Sequence, residues 1–258
     1  MAGIQVKPVA VTRSRLLGVL EELECRREHY YTLYLAWPLL CGGDGILKDA
    51  SGPFVDQVRE TLASEPVSRA MQTYATGAVA FWSNDDRRVL VIPPFEVASE
   101  GVFEGPPYVT PLAELLERER TVEVVMVTWG AYALGVFEGG HLAQSKTGTG
   151  YIHKRHRKGG RSEKRFARRT EEQKKDFLRR VANRVDETFA GYRSEQVFFG
   201  GNRFILDLLT GESRHLRSNR QRVSKRRLHV RVADRSALLG SIEEINRAVM
   251  FDLSERRE

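Results

Sequence analysis

Cysteine is scarce in this chain, and its scarcity removes two classes of protein at once. Cys25 and Cys41 are the only two among 258 residues, too few and too far apart for a disulfide framework or a cysteine zinc site. Both are expected to be reduced, as in a cytoplasmic protein. Long apolar runs are missing too. The longest nearly apolar stretch, residues 30–41, is broken by Thr32 and Pro38, whereas a helix that spans a bilayer needs about 20 residues. No transmembrane segment and no membrane partner are expected. The opening MAGIQVKPVAVTRSRLL has no continuous apolar region ahead of a small-residue cleavage site, so no signal peptide is expected. There is no G-x-x-x-x-G-K-[ST] phosphate loop, no internal repeat and no low-complexity tract. His153 and His156 form H-x-x-H, but no Cys, third His or carboxylate adjoins them, and zinc takes three or four protein ligands. No metal and no cofactor are expected. Ser145, Thr149 and Ser162 have no legible His–acid partner and fit turn or capping roles better than nucleophilic ones.

What is present is the composition of a soluble globular protein, 41% hydrophobic and 29% charged, with a charge distribution that is far from even. The formal net charge is +7. Residues 1–120 carry 12 basic and 17 acidic side chains, net −5. Residues 146–169 carry ten basic and one acidic, net +9, and residues 212–231 eight basic and one acidic, net +7. Everything outside those two zones therefore sums to −9. Solubility charge would be dispersed; concentrated basic zones on an acidic chain suit docking to a polyanion at defined places, and nucleic acid is the expected partner.

Hydrophobic spacing divides the chain. In residues 12–31, Leu16, Leu17, Leu20 and Leu23 fall on one helical face behind Thr12 as N-cap. YYTLYLAW, GAVAFWS and RRVLVIP read as strands, the last two joined by NDDR into a hairpin, and FVDQVRETLASEPVSRAMQTY as a helix interrupted near Pro66. PPFEVASEGVFEGPPYVTP holds five prolines and is taken as loop or extended chain approaching a boundary near residue 119. Beyond it, residues 121–129 and 131–138 read as two strands turning at Gly130, with VVMV apolar enough to be central. The segment from His141 to Lys154 is taken as a polar loop. A helix is expected from about Ser162 to Phe189, with Phe166, Phe177, Val181, Val185 and Phe189 on its buried side. EQVFFGG follows as a strand ending in a Gly-Gly turn, NRFILDLL as a short helix, LHVRV as the last strand and RSALLGSIEEINRAVM as the last helix. Strands alternating with helices indicate an α/β protein: an α+β N-terminal domain over 1–118 and a second domain over 119–258 carrying the basic glycine loop 146–169.

That loop is the densest chemistry in the sequence. HKRHRKGGRSEKRFARR, residues 153–169, sets nine Lys or Arg and two His around Gly159 and Gly160. Glycines let a backbone approach a ligand closely. The first turn of the helix that follows, with Ser162 as its expected cap, leaves N–H groups unpaired beside a partial positive charge, where an anion or developing oxyanion is stabilised. The flanking cations, Lys154, Arg155, Arg157, Lys158, Lys164, Arg165, Arg168 and Arg169, are the candidate RNA contacts. Tyr151 either stacks on a base or packs. The second zone, RHLRSNRQRVSKRRLHVRV, is either a clamp on RNA or a disordered basic linker.

RKGGRSEKRFARR resembles the Gly-Gly-Gln loop of eukaryotic and archaeal class-1 peptide release factors, in which Ser, a basic residue and Phe-Ala-Arg follow at the head of a long helix. VVMVTWGAYALGVFEGG before it, FLRRVANRV after it and EQVFFGGNRFILDLL beyond keep that family's order. The sequence is most similar to the Vms-type peptidyl-tRNA hydrolases of ribosome-associated quality control and their actinobacterial relatives. The similarity covers roughly 121–250, and IPPFEVASEGVFEGPPYVTPLAELLE is more weakly similar to the end of a release factor's first domain. The resemblance implies a ribonuclease H-like domain without that enzyme's metal carboxylates. It also implies a cytoplasmic, ribosome-associated peptidyl-tRNA hydrolase acting at the large subunit, with Gly159, Gly160 and Arg161 at the peptide–tRNA ester and no DNA partner. Arg161 stands where the family pattern has Gln, and no GTPase-binding third domain fits before residue 258. A non-catalytic ribosome- or tRNA-binding factor and a tRNA endonuclease are the alternatives.

Overall fold

The structure, a computed structural model, describes residues 7–26, 28–37, 47, 53–83, 87–152 and 161–254. The chain divides into two units, one formed by residues 1–118 with 245–258 and the other by residues 119–244.

The first unit is an antiparallel six-stranded sheet between helices. Its strands are β1 (Val9–Val11), β2 (Tyr30–Leu35), β3 (Ala78–Ser83), β4 (Arg88–Ile92), β5 (Gly101–Gly105) and β11 (Ala248–Asp252), ordered β1-β11-β4-β3-β2-β5. Thr12 caps α1 (Arg13–Glu24), its side chain accepting from the Arg15 N–H, as the sequence predicts. Leu16, Leu20 and Leu23 of α1, with Leu112 and Leu116 of α4 (Thr110–Glu117), bury the sheet face that carries Tyr34, Phe81 and Val91. The residues between those on the same strands, Leu35, Ala80 and Leu90, face the other way onto Val58 of α2 (Pro53–Ala63) and Val67 and Met71 of α3 (Glu65–Tyr74). A sheet covered on both faces explains why its strands read as continuous apolar runs. Ser64 separates α2 from α3, and Pro66 sits in the first turn of α3, where its missing N–H removes no helical bond.

Two expectations change in this unit. Residues 101–105, read as loop or extended chain, take the extended form as β5, an edge strand paired with β2; the prolines punctuate it rather than fill it. The last helix was expected to run through Met250, but α8 (Arg235–Ile245) ends five residues earlier and AVMFD becomes β11, between β1 and β4. Ala248, Val249, Met250 and Phe251 are all buried, which suits a strand covered on both faces. The second domain's expected limit at residue 258 moves accordingly, since residues 245–258 belong to the first unit.

The second unit is a five-stranded sheet, β10-β9-β6-β7-β8, built from β6 (Thr121–Thr128), β7 (Ala131–Glu138), β8 (His141–Thr149), β9 (Gln196–Gly201) and β10 (Val223–Leu228). The first three are antiparallel, and β9 and β10 are added in parallel beside β6. This is the order expected of a ribonuclease H-like sheet, with VVMV central as predicted. One face packs on α5 (Arg161–Thr188), α6 (Arg203–Glu212) and α7 (Arg214–Ser218) through Phe177, Val181, Val185, Leu206, Leu209 and Leu216. On the other face, Leu238 of α8 lies where a side chain on Gly135 would meet it at 2.9 Å.

The polar edges are where sequence and structure differ. Residues 141–149, expected as loop, are β8; an edge strand can keep polar residues on both faces. The last strand was placed at LHVRV, but VSKRRL pairs instead, with Arg226 and Leu228 turned inward and Lys225 and Arg227 exposed. The Arg226 guanidinium lies 5.5 Å from the Phe198 ring centroid, so an aromatic face receives the buried cation. Gly200 and Gly201 finish β9 rather than forming a separate turn, and Gly201, at φ +104, sits against the Val127 carbonyl where no side chain fits.

Candidate functional site

Helix α5 is 28 residues long, about 42 Å at 1.5 Å per residue, and only its second half is part of the core. Phe177, Leu178, Val181, Ala182 and Val185 are buried, and Phe189 continues the stripe past the helix end. Residues 165–176 include no buried side chain. The helix therefore extends roughly 24 Å beyond its first core residue. Phe166 was expected on the buried side and is 52% exposed. It shares a helical face with Phe177, three turns away, but nothing of the core reaches that far.

The helix begins at Arg161, so Ser162, expected as the cap, lies inside the first turn. The first four N–H groups of a helix have no partner within it, and the backbone N–H of Arg161 is the first of them. Gly159, Gly160, Lys154, Arg155, Arg157 and Lys158, with His153 and His156, lie outside the described residues, as do the side chains of Arg161, Ser162 and Lys164. Arg165, Arg168 and Arg169 are exposed. The Arg168 Nε donates to Glu172 Oε1 at 3.0 Å, while Arg165 and Arg169 have no acidic partner among the described residues. Like charges one turn apart destabilise a helix slightly, and an anionic ligand reverses that effect.

The stem of the loop is built by glycine. Gly130, at φ +90, turns β6 into β7, and its carbonyl accepts the N–H of Gly150 at 2.8 Å. A side chain on Gly150 would meet the Phe177 ring at 2.7 Å and Arg180 Nη2 at 2.9 Å, so the chain leaving β8 lies directly on α5. Ile152 packs on the core, and Tyr151 between them is 75% exposed. Lys174 bonds to Glu171 at 2.7 Å and lies 5.2 Å from the Trp129 ring centroid, next to the Gly130 turn. Arg180 borders two clefts. One, of about 240 Å³, is shared with Tyr132, Thr149 and Arg184; the other, of about 470 Å³, with Tyr151, Gln173, Asp176 and Arg179. Arg184 donates to Glu187 at 2.6 Å, and that hydrogen bond raises its pKa further, so its charge is fixed at any working pH.

Away from the loop, Glu123 is fully buried in β6 and its Oε2 lies 2.8 Å from His215 Nε2. Asp186 of α5 accepts from Ser213 Oγ at 2.5 Å and from the backbone N–H of Arg214 and His215, tying α7 to α5. Much of the second basic zone is thus ordered structure, with Arg214, Arg217, Arg220, Lys225 and Arg227 exposed. Arg180 had no signal in the sequence, where it is one of many helix-surface cations; only the packing of Gly150 singles it out. Among the described residues no helix is long and apolar enough to cross a membrane.

A family model described as the Actinobacteria/chloroflexi VLRF1 release factor matches residues 120–250. No curated protein matches the chain. Among solved structures, an archaeal translation termination factor, aRF1, is 14% identical, with a TM-score of 0.34 over 85% of this chain and 66% of that one. A structure described only as an archaeal protein is 14% identical, TM-score 0.28, over 90% and 69%. Pelota from Archaeoglobus fulgidus is 8% identical, TM-score 0.30, over 95% and 63%. The chain spans less than two thirds of the length of the Pelota structure and 66% of the termination factor.

Proposed function

The chain belongs to the Actinobacteria/chloroflexi VLRF1 release factor family, and from that premise we propose that it hydrolyses the ester of peptidyl-tRNA on stalled large ribosomal subunits in the cytoplasm. One observation carries the reading. Arg161 is the first helical residue directly after Gly159 and Gly160, so its backbone N–H is a donor with no helical partner, at the positive end of the helix dipole. In the reaction, water attacks the carbonyl carbon of the ester linking the peptide to the terminal ribose. Charge develops on the carbonyl oxygen, and the Arg161 N–H stabilises it. The carbon–oxygen bond to the ribose then breaks, one proton of the water passes to the departing ribose oxygen and the other to solvent, and the peptide is freed as a carboxylate. An arginine side chain stays protonated and is a poor general base, so the backbone is the better candidate for this chemistry and the RNA for assisting the water. The exposed Arg165, Arg168 and Arg169, with Lys154, Arg155, Arg157, Lys158 and Lys164, hold phosphates and deliver the loop. The unit built on residues 1–118 takes the place of a release factor's first domain.

The test is to incubate the purified protein with ribosome-bound peptidyl-tRNA and to measure freed peptide. Release is expected to fall about 10²- to 10³-fold in Gly160→Ala, the size seen when one oxyanion donor is lost, with ribosome affinity nearly unchanged. No release above buffer, where a known factor works, overturns the reading. Arg161 in place of glutamine favours a second one, ribosome or tRNA binding without hydrolysis, in which the parent frees no peptide and Gly160→Ala weakens affinity. A shortened tRNA on a gel would instead indicate endonuclease cleavage.

A further inference from the structure

We propose that α7 and the edge strand β10 form a second RNA-docking surface, on which Arg214, Arg217, Arg220 and Arg227 hold the phosphate backbone of an RNA duplex. The proposal rests on RNA being the partner, as inferred above, but on neither the glycine loop nor hydrolysis. The second basic zone folds as the helix α7, a 3₁₀ turn (Arg220–Arg222) and the strand β10. A five-residue helix is too short to hold itself, and α7 is fixed from inside. Ser213 Oγ accepts from the Leu216 N–H at 3.2 Å and donates to Asp186 at 2.5 Å. Leu216 is fully buried, and His215 meets Glu123, 2.8 Å from its Nε2, and the Phe189 ring, 5.3 Å between centroids. With His215 and Leu216 turned inward, Arg214 and Arg217 are exposed on one face of the helix, and Arg220 is exposed in the turn that follows. Arg227 pairs in register with Phe199, so the two side chains leave the sheet on the same side. Phe199 and Leu216 share one core, which puts Arg227 on the side that α7 covers.

None of these four guanidinium groups has a carboxylate or hydrogen-bond partner among the described residues, and the acids around them are engaged elsewhere or outnumbered. Asp186 accepts from Ser213 and from the backbone N–H groups of Arg214 and His215. Glu123 is buried on His215, and Glu244 accepts the His229 N–H at 3.0 Å. Glu212 is the one acid of residues 212–231, against eight Lys or Arg. Like charges fixed on an ordered surface repel one another, and a polyanion reverses that effect. The zone's other side chains specify which polyanion. Residues 212–231 contain no Phe, Tyr or Trp, so they offer no platform for unpaired bases, by which single strands are held. Duplex RNA hides its bases and is held through phosphates and 2′-hydroxyls, which suit arginine forks and the exposed Ser218 and Gln221. No large apolar side chain of the zone is exposed, so an acidic protein would find no anchor there.

The experiment measures binding of a fluorescently labelled RNA hairpin, with a stem of about 16 base pairs, to the full chain by anisotropy at several salt concentrations. A single strand and a DNA duplex of the same length are measured beside it. Arg217→Ala and Arg227→Ala are each expected to weaken hairpin binding and to lower the slope of log affinity against log salt by about 1, and the double variant by about 2. The corresponding Lys variants should keep the slope. Affinity for the single strand, which depends on stacking, should stay within about twofold of the parent. Arg203→Ala removes an exposed cation paired with Asp207; it controls for net charge and should leave the slope unchanged. The substituted side chains are exposed, and a circular dichroism melt confirms that the variants fold. Unchanged hairpin affinity in the double variant overturns the proposal. So does an equal loss on the single strand or in Arg203→Ala, a DNA duplex bound as tightly as the hairpin, or displacement by polyglutamate as effective as by unlabelled hairpin. Peptide release measured on the same proteins separates the two readings. If Arg217 and Arg227 carry hairpin binding and the parent frees no peptide, the surface stands and the hydrolase reading falls. If the parent frees peptide and the double variant binds the hairpin as the parent does, the surface falls and the hydrolase reading stands.

Discussion

The part of α5 before Phe177 has eleven charged residues in sixteen and the part from Phe177 onward five in twelve, and the two are held by different physics. From Phe177 onward, apolar side chains recur every three or four residues and are buried against the sheet, each contributing about 1.5–3 kcal/mol by leaving water. Before it, the described contacts include surface pairs such as Arg168–Glu172, worth roughly 0.3–0.5 kcal/mol apiece, and Lys174 reaching the Trp129 ring. A helix is costly to nucleate and cheap to extend. The packed half therefore supplies the nucleus, and the other half follows as its continuation. Along the helix, the Arg161 N–H lies about 24 Å from Phe177, the first buried residue of α5 among the described side chains.

If that division is right, the same substitution should behave very differently in the two halves. Phe177→Ala removes a ring that touches Trp129, Tyr132 and Gly150 and is expected to cost about 3–5 kcal/mol in urea denaturation. Phe166→Ala, at the matching face of the projecting half, should stay within about 0.5 kcal/mol. A Phe177→Ala loss under about 1 kcal/mol would mean that the core does not anchor the helix at this point. A smaller effect of the same kind is expected at the stem. Gly150→Ala forces a methyl group onto Phe177 and Arg180 and should cost about 1–3 kcal/mol. Gly211→Ala, in α6 with nothing near its added carbon, should stabilise by roughly 0.5–1 kcal/mol. Equal signs for the two glycines would break the claim that Gly150 is there for close approach.

The mixed α/β class, the central VVMV strand and the long basic helix are legible in the sequence because each rests on a strong local signal: a continuous apolar run, or a stripe at helical spacing. The elements that are not legible share a different feature. β8 and β10 are edge strands whose residues are mostly polar, so they lack the alternation that marks a half-buried strand. β11 is a short apolar run directly after a helix, a case that periodicity cannot decide; only its pairing with strands more than 150 residues away makes it a strand. Phe166 was misplaced for the converse reason. The helical spacing is right, but spacing carries no information about where the core ends. In the candidate site, the glycines and cations are visible as residue types, whereas the seating of Arg180 on Gly150 depends on a tertiary contact.

The subtlest consequence concerns the cations of the projecting half. Arg165 and Arg169 are exposed, one helical turn apart, with no acidic partner among the described residues, and neither contributes to packing. Replacing either with Ala should leave stability within about 0.5 kcal/mol of the parent; the slight relief of like-charge repulsion, if it registers at all, makes the change favourable. On the proposed function their role shows only when RNA is present. Each substitution should weaken ribosome or tRNA binding uniformly across sequences and lower the salt slope by about 1, and the double variant by about 2, because each phosphate contact releases its own counterions. Release per bound complex should not change if both side chains serve only to hold phosphate. The measurement is therefore a salt titration of affinity beside single-turnover release at saturating protein. A fall in the single-turnover rate with an unchanged slope would move these arginines from delivering the loop to positioning it. The projecting half of α5 would then be part of the reacting geometry and not merely the arm that carries it.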